Sequence, residues 1–272
     1  MKIRTKQALL CLLCSLLCLC SCSAENQGQY GVFLGIDSQE ISKLKGYDLV
    51  VIDALHFSTE DIEALHEKKQ KVYSYLNIGS IEDFRPYYPQ FEHLTLSDYE
   101  DWPEERWIDV SDKEWRTFIV DDLAKQISEK GVDGFFIDNT DVWYQYPKDE
   151  VYEALKDILS GLKEKYRLPI VINGGDNFVR RALEGGDYKG LIDAVNQETV
   201  FTSIDFDDRS FHPQDEEQTL YLTDYLALCK SKGLDVYLLE YGADSKTTRK
   251  IGEFCKEKGY VFYISPSLEL DR

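Results

Sequence analysis

Eight short apolar runs, each separated from the next by a stretch of helical periodicity, constrain this chain more than any other feature of it. They are GVFLGID (31–37), DLVVIDA (48–54), KVYSYLNIG (71–79), VDGFFID (132–138), PIVING (169–174), LIDAVNQE (191–198), DVYLLEYG (235–242) and YVFYIS (260–265). Between them, Trp115, Phe118, Ile119, Leu123 and Ile127 form one helical face, and Val151, Leu155, Ile158, Leu159 and Leu162 another. Ser58 and Asp61 have the spacing of a capping box. Four segments end in Lys-Gly just before a strand, placing a cation at the negative end of the helix dipole and a glycine at the left-handed stop.

Strand and helix in strict alternation predict a parallel sheet, and eight such units in about 240 residues predict a single-domain α/β chain folded as a (β/α)8 TIM barrel. Neither a P-loop nor a GxGxxG turn is present to favour a nucleotide-binding open sheet. Residues 30–272 are assigned to the barrel and 23–29 to a short tether. Residues 1–22 read as a secretory leader, with Lys2, Arg4 and Lys6 ahead of an apolar run too short for a comfortable membrane span. The leader closes on Leu19-Cys20-Ser21-Cys22, a lipobox pattern that makes Cys22 the expected lipidation site; the alternative is an ordinary cleaved signal and a freely secreted protein.

Without the leader, 50 acidic residues face 28 basic ones, a net charge of −22. Nucleic acid and anionic lipid surfaces are therefore poor partners, and membrane contact is expected only through the anchor. A cationic ligand would be attracted, although solubility alone accounts equally well for such a charge. Of the seven cysteines only Cys22, Cys229 and Cys255 survive removal of the leader, and the last two sit on helical patterns as core thiols rather than a disulfide.

In a barrel of this kind chemistry gathers at the C-terminal ends of the strands, and here those ends are polar: Asp37, Asp53, Asn77, Asp138, Asn173, Glu198 and Glu240. Residues two apart share a face. Asp138 therefore groups with Phe136 and Gly134, Glu198 with Asn196 and Ala194, and Glu240 with Leu238 and Val236; these sets are expected to point inward. Any one of these acids could simply cap a helix, as is expected of Asp176 and Asp244, and Asp141 could either cap or support Asp138. Several acids converging on one mouth repel one another, so the site requires a cation, a metal or work for its acids. The four histidines show no HxH or HExxH spacing, which argues against zinc; an all-oxygen magnesium site remains open but has no recognisable spacing, so no metal is assigned, and no GxSxG elbow supports a nucleophilic serine. No cofactor is expected. Chemistry that runs on carboxylates alone remains, and glycoside hydrolysis is such chemistry. The long segment 80–111, with Tyr87, Tyr88, Trp102 and Trp107, and Tyr75, Trp143, Tyr144, Tyr241 and Tyr263 near other strand ends, would supply flat faces on which sugar rings stack.

YLNIGSIEDFRPYY, WIDVSDKEWR, GVDGFFIDNTD, VINGG and VNQETVF, in this order and spacing, resemble glycoside hydrolase family 114, the endo-α-1,4-polygalactosaminidase family of TIM barrels. The resemblance spans about residues 30–266. It implies hydrolysis of α-1,4-linked galactosamine polymers by exported or surface-attached proteins, with a catalytic pair falling on Asp138 and Glu198. By analogy with retaining α-glycosidase barrels, Asp138 is the expected nucleophile and Glu198 the expected acid/base. Asp53, Tyr75, Asn77, Asp141, Trp143, Asn173, Glu240 and Tyr241 are the expected substrate contacts, with the acids complementary to a polysaccharide that carries ammonium groups. Asn139 and His56 depart from the family pattern and bear on the sugar more than on the reaction. Two other readings stand beside this one: hydrolysis of a neutral α-galactoside or another surface glycan, and a lipoprotein that binds glycans without cleaving them.

Overall fold

The computed structural model describes residues 29–272; the expected leader, Cys22 and most of the expected tether lie outside the described residues. All eight expected strands form. They are β1 (Tyr30–Phe33), β2 (Leu49–Ile52), β3 (Lys71–Asn77), β4 (Gly134–Asp138), β5 (Ile170–Asn173), β6 (Ala194–Glu198), β7 (Asp235–Tyr241) and β8 (Val261–Ser265). They lie side by side in chain order, every pair parallel, and β8 returns against β1 to close a (β/α)8 barrel.

The outer layer consists of α1 (Thr59–His66), α2 (113–128), α3 (Asp149–Tyr166), α4 (Asp176–Gly185), α5 (Glu216–Ser231) and α6 (Ser245–Lys258), with a 3-10 segment, Ser38–Leu44, between β1 and β2. Ser58 and Asp61 make the capping box at α1. The second helix widens into a π turn over Phe118–Leu123, yet Trp115, Ile119, Leu123 and Ile127 remain buried, and the Trp115 indole donates to the Ile78 carbonyl at 2.8 Å. Gly46, Gly131, Gly233 and Gly259, the four Lys-Gly glycines, all take positive φ, between 69° and 98°. Asp244 caps α6 by accepting from Thr247 N, whereas Asp176 falls inside α4 and instead accepts from the Tyr221 hydroxyl. Cys229 and Cys255 are buried and not joined to each other.

Two insertions rise from the C-terminal end of the barrel. After β3 the chain forms an antiparallel sheet in the order Ser80–Glu82, Glu105–Ile108, Thr95–Asp98. After β6 it forms a hairpin of Thr202–Asp205 and Ser210–Pro213. The first insertion approaches the barrel at Gly79, where a Cβ would stand 1.7 Å from the backbone oxygen of Asn139. Only glycine permits that approach.

Candidate active site

The barrel interior near this end carries a directed ladder of carboxamides. Tyr30 donates its hydroxyl to Asn196 Oδ1 (3.0 Å), and Asn196 Nδ2 donates to Asn173 Oδ1 (2.7 Å). With its oxygen so occupied, Asn173 turns its amide nitrogen to the rim. There it donates to Asp138 Oδ1 at 2.9 Å and to Glu198 Oε1 at 2.8 Å. Because one nitrogen holds both, the two carboxylate oxygens lie at most 5.7 Å apart, the combined length of those bonds. Tyr241, at the end of β7, donates its hydroxyl to the other Glu198 oxygen at 2.7 Å.

Burial raises both acids. For Asp138 the removal of water is the largest cause and the charge of Glu198 the next, which together push it well above the usual carboxylate range. Glu198 is also raised by burial, but the donors Asn173 and Tyr241 pull it back. Two acids this close titrate as a pair.

The residue after each acid is in the left-handed region: Asn139 at φ 64° and Thr199 at φ 55°. Asparagine tolerates this, whereas a β-branched threonine there is strained by about 1–3 kcal/mol. Glu240 holds the second turn. Its carboxylate accepts from Phe201 N (3.0 Å), Thr202 N (2.9 Å) and the Thr202 hydroxyl (2.7 Å), and it is fully buried.

Asp138 and Glu198 open into a cavity of about 890 Å³ that spans the barrel mouth. Asp101, Glu104, Glu105, Asp141 and Glu269 also line it, and among the described residues no lysine, arginine or histidine does. Asp141 accepts from Gly175 N at 3.0 Å, and burial, followed by the charge of Asp176, raises it to about 6. Glu105 comes from the insertion after β3. Its Oε1 accepts from Asn77 Nδ2 and Asn139 Nδ2, both at 2.9 Å, and from the Ser80 hydroxyl, while burial lifts it to about 7.

Of the site residues expected from sequence, Asp138, Glu198, Asn173, Asp141, Tyr75 and Tyr241 border this cavity. Four do not, which corrects their placement. Asp53 is buried in an ion pair with Arg85 at 2.6 Å, and Arg85 also binds Glu82 at 2.9 Å. Asn77 is spent on Ser80 and Glu105. Trp143 packs edge-on against Tyr152 beneath the guanidinium of Arg181. Glu240 points away from the mouth, because Leu239 and Tyr241 are the β7 residues that line it. Sequence reasoning missed Glu105 and the wall formed by Phe84, Tyr99 and Phe206. Glu105 sits in PEERW, which reads as a solvated turn; its alternation with Trp107 was the available sign of a strand.

The fold is shared with solved glycoside hydrolases. The glycoside hydrolase domain of PelA from Pseudomonas aeruginosa superposes with a TM-score of 0.77 at 17% identity, covering 90% of this chain and 96% of that one. Ega3 from Aspergillus fumigatus, solved in complex with galactosamine, gives 0.71 at 17% identity, over 90% and 93% of the two chains. The α-galactosidase TtGalA from Thermus thermophilus gives 0.59 at 12% identity, over 86% and 57%. Among curated protein sequences none matches this one. The model of glycoside-hydrolase family GH114 matches residues 23–269, nearly the whole chain, and the protein with its two bridged acids is therefore a glycoside hydrolase belonging to that family.

Proposed function

We propose that this enzyme cleaves α-1,4-linked galactosamine polysaccharide with retention of anomeric configuration, using Asp138 and Glu198, while tethered to the bacterial envelope through a lipid on Cys22. The observation that carries the reaction is the Asn173 amide bonded to both acids. A ceiling of 5.7 Å between the bonded oxygens fits the ~5–5.5 Å of retaining enzymes and leaves too little room for the water that inverting enzymes seat across ~6.5–9.5 Å. In the first step Asp138 bonds to the anomeric carbon while Glu198 gives its proton to the departing oxygen. In the second, water attacks that carbon, Glu198 takes the water's proton, and Asp138 leaves as a carboxylate. Tyr241 and Asn173 orient Glu198 in both steps.

The substrate class rests on charge. A cavity lined, among the described residues, by seven carboxylates and no basic side chain favours a sugar bearing ammonium groups over a neutral one. The solved neighbour in complex with galactosamine is consistent with that choice. The test is product analysis on partly deacetylated α-1,4-galactosamine polymer beside neutral α-galactans. Cleavage of the first is expected; cleavage of the neutral polymer alone would overturn the substrate. A pure binding lipoprotein would bind glycan without cleaving it, with affinity unchanged in D138N and E198Q.

One observation favours exchanged roles. Both Glu198 oxygens accept donors while burial and Glu198's charge raise Asp138 well above the usual carboxylate range, so Asp138 is the acid that holds a proton more readily. Under the favoured roles substrate entry has to shift it to Glu198. Azide rescue decides between them: the nucleophile-deleted variant gives the β-glycosyl azide, and the acid-deleted variant gives the α-anomer.

A further inference from the structure

Trp102 and Phe206 touch across the mouth of the cavity, their ring centroids 6.1 Å apart and their planes at 77°. Trp102 stands in the turn before the Glu105–Ile108 strand of the insertion after β3, and Phe206 at the tip of the hairpin after β6. In the barrel, β3 and β6 are separated by β4 and β5, whose ends carry Asp138 and Asn173. Both rings line the same cavity as Asp138 and Glu198. Two rings in contact leave no room for a sugar between them, so this pair spans the cleft instead of clasping a substrate.

The hairpin is held unequally. Its strands are fixed up to one pair short of the turn, where Phe211, opposite Ile204, stacks on Tyr241, the tyrosine that binds Glu198, with planes at 18°. Phe211 lies so close to Gly242 that a Cβ there would stand 2.1 Å from its ring. Among the described residues the turn is tied by the edge-on Trp102 contact and an ion pair between Arg209 and Glu269 at 3.1 Å, both partners of the pair more than half exposed. Such surface ties are weak, whereas the paired strands below the turn cannot shift without disturbing Tyr241 and the acid it binds.

Resting on the glycosidase reading above, we infer that Trp102 and Phe206 form a gate that decides which part of a polymer is cut. With the rings together a chain end threads beneath them to the acids; an internal segment enters only when the tip swings away. These two residues thus set the preference between chain ends and chain interiors, and act in substrate admission, not in the bond-breaking step.

The experiment compares kcat/KM on long α-1,4-galactosamine polymer with that on the free tetrasaccharide. F206A is expected to raise the polymer-to-tetrasaccharide ratio about threefold or more, and W102C/F206C joined by a short bis-maleimide to lower it about tenfold against the unlinked double variant. A ratio unchanged in both overturns the gate. Wild type that cleaves neither sugar counts against the glycosidase reading instead, and the gate is then judged without catalysis. The protein has four tryptophans, so 5-fluorotryptophan labelling gives four resonances, with Trp102 assigned by W102F. F206A should move that resonance towards a solvent-exposed shift, and an unmoved one overturns the gate.

Discussion

Asn196 donates its amide to Asn173 Oδ1 at 2.7 Å, and this bond, one layer below the rim, fixes which face Asn173 shows to Asp138 and Glu198. Had Asn173 been flipped, its oxygen would face two carboxylates and add to their repulsion. N173A should therefore lower kcat by about 10²–10³, in line with the removal of a preorganised donor from a water-poor site. N173D, which adds a third acid, should be worse. N196A should fall between wild type and N173A, because the amide is freed to turn but not lost. Single-turnover rates on galactosamine oligosaccharide check the order; N196A as damaging as N173D would contradict it.

Glu240 acts on the site from behind. It holds the amides of Phe201 and Thr202 just past the strained Thr199, and so maintains the turn that aims Glu198. In E240Q an amide NH2 has to face a backbone N–H that previously had an acceptor. The expected cost is about 1–3 kcal/mol of unfolding free energy, with a fall in kcat larger than any change in KM. Denaturant unfolding beside steady-state kinetics reads both; full stability and activity in E240Q would remove this role.

Stability should depend on pH with a sign opposite to that of most acids. Burial raises Glu105 and Glu240 to about 7 and Asp141 to about 6 in the folded chain, against 4.5 and 3.8 as ordinary values. Between the ordinary and the raised values the folded state holds protons that the unfolded state has released. The protein is thus more stable on the acidic side of this window, and loses that stability as pH rises through about 7. E105Q removes one such group and should flatten the loss from pH 5 to pH 8 by roughly 2–3 kcal/mol. Urea titrations of wild type and E105Q at the two pH values test this; parallel curves would contradict it.

The Arg85 cluster is a structural counterpart. Arg85 lies between Asp53 and Glu82, and Tyr75, on the cavity wall, donates to the same Glu82 oxygen at 3.3 Å. R85A leaves two buried carboxylates without their cation and should destabilise by about 3–5 kcal/mol. D53N/R85M, which removes charge from two partners together, should recover part of that loss. A double variant as unstable as R85A would show that the pairing is not what holds this corner.

The strands were legible because each is a short apolar run closed by polar residues, and Asp138 and Glu198 because they end β4 and β6. Facing was legible only where alternation survives. At β6 the inward Asn196 and Glu198 follow the parity rule, but β7 is covered on both faces. Leu238, Leu239, Glu240 and Tyr241 are all buried, so no pattern told which of Glu240 and Tyr241 faces the axis. Asp53 looked like a ligand because its partner, Arg85, arrives from 32 residues away in an insertion whose fold has no period of its own. Glu105 and Phe206 were hidden for the same reason: each stands on a short antiparallel strand or hairpin tip recognisable only through its pairing.

Retention requires two acids close enough to work on one bond in succession. The direct measurement is proton NMR of the anomer first released from partly deacetylated α-1,4-galactosamine oligosaccharide, before mutarotation mixes the products. The α-anomer is expected to appear first and to convert slowly to the equilibrium mixture. Initial release of the β-anomer would contradict the retaining pair of Asp138 and Glu198.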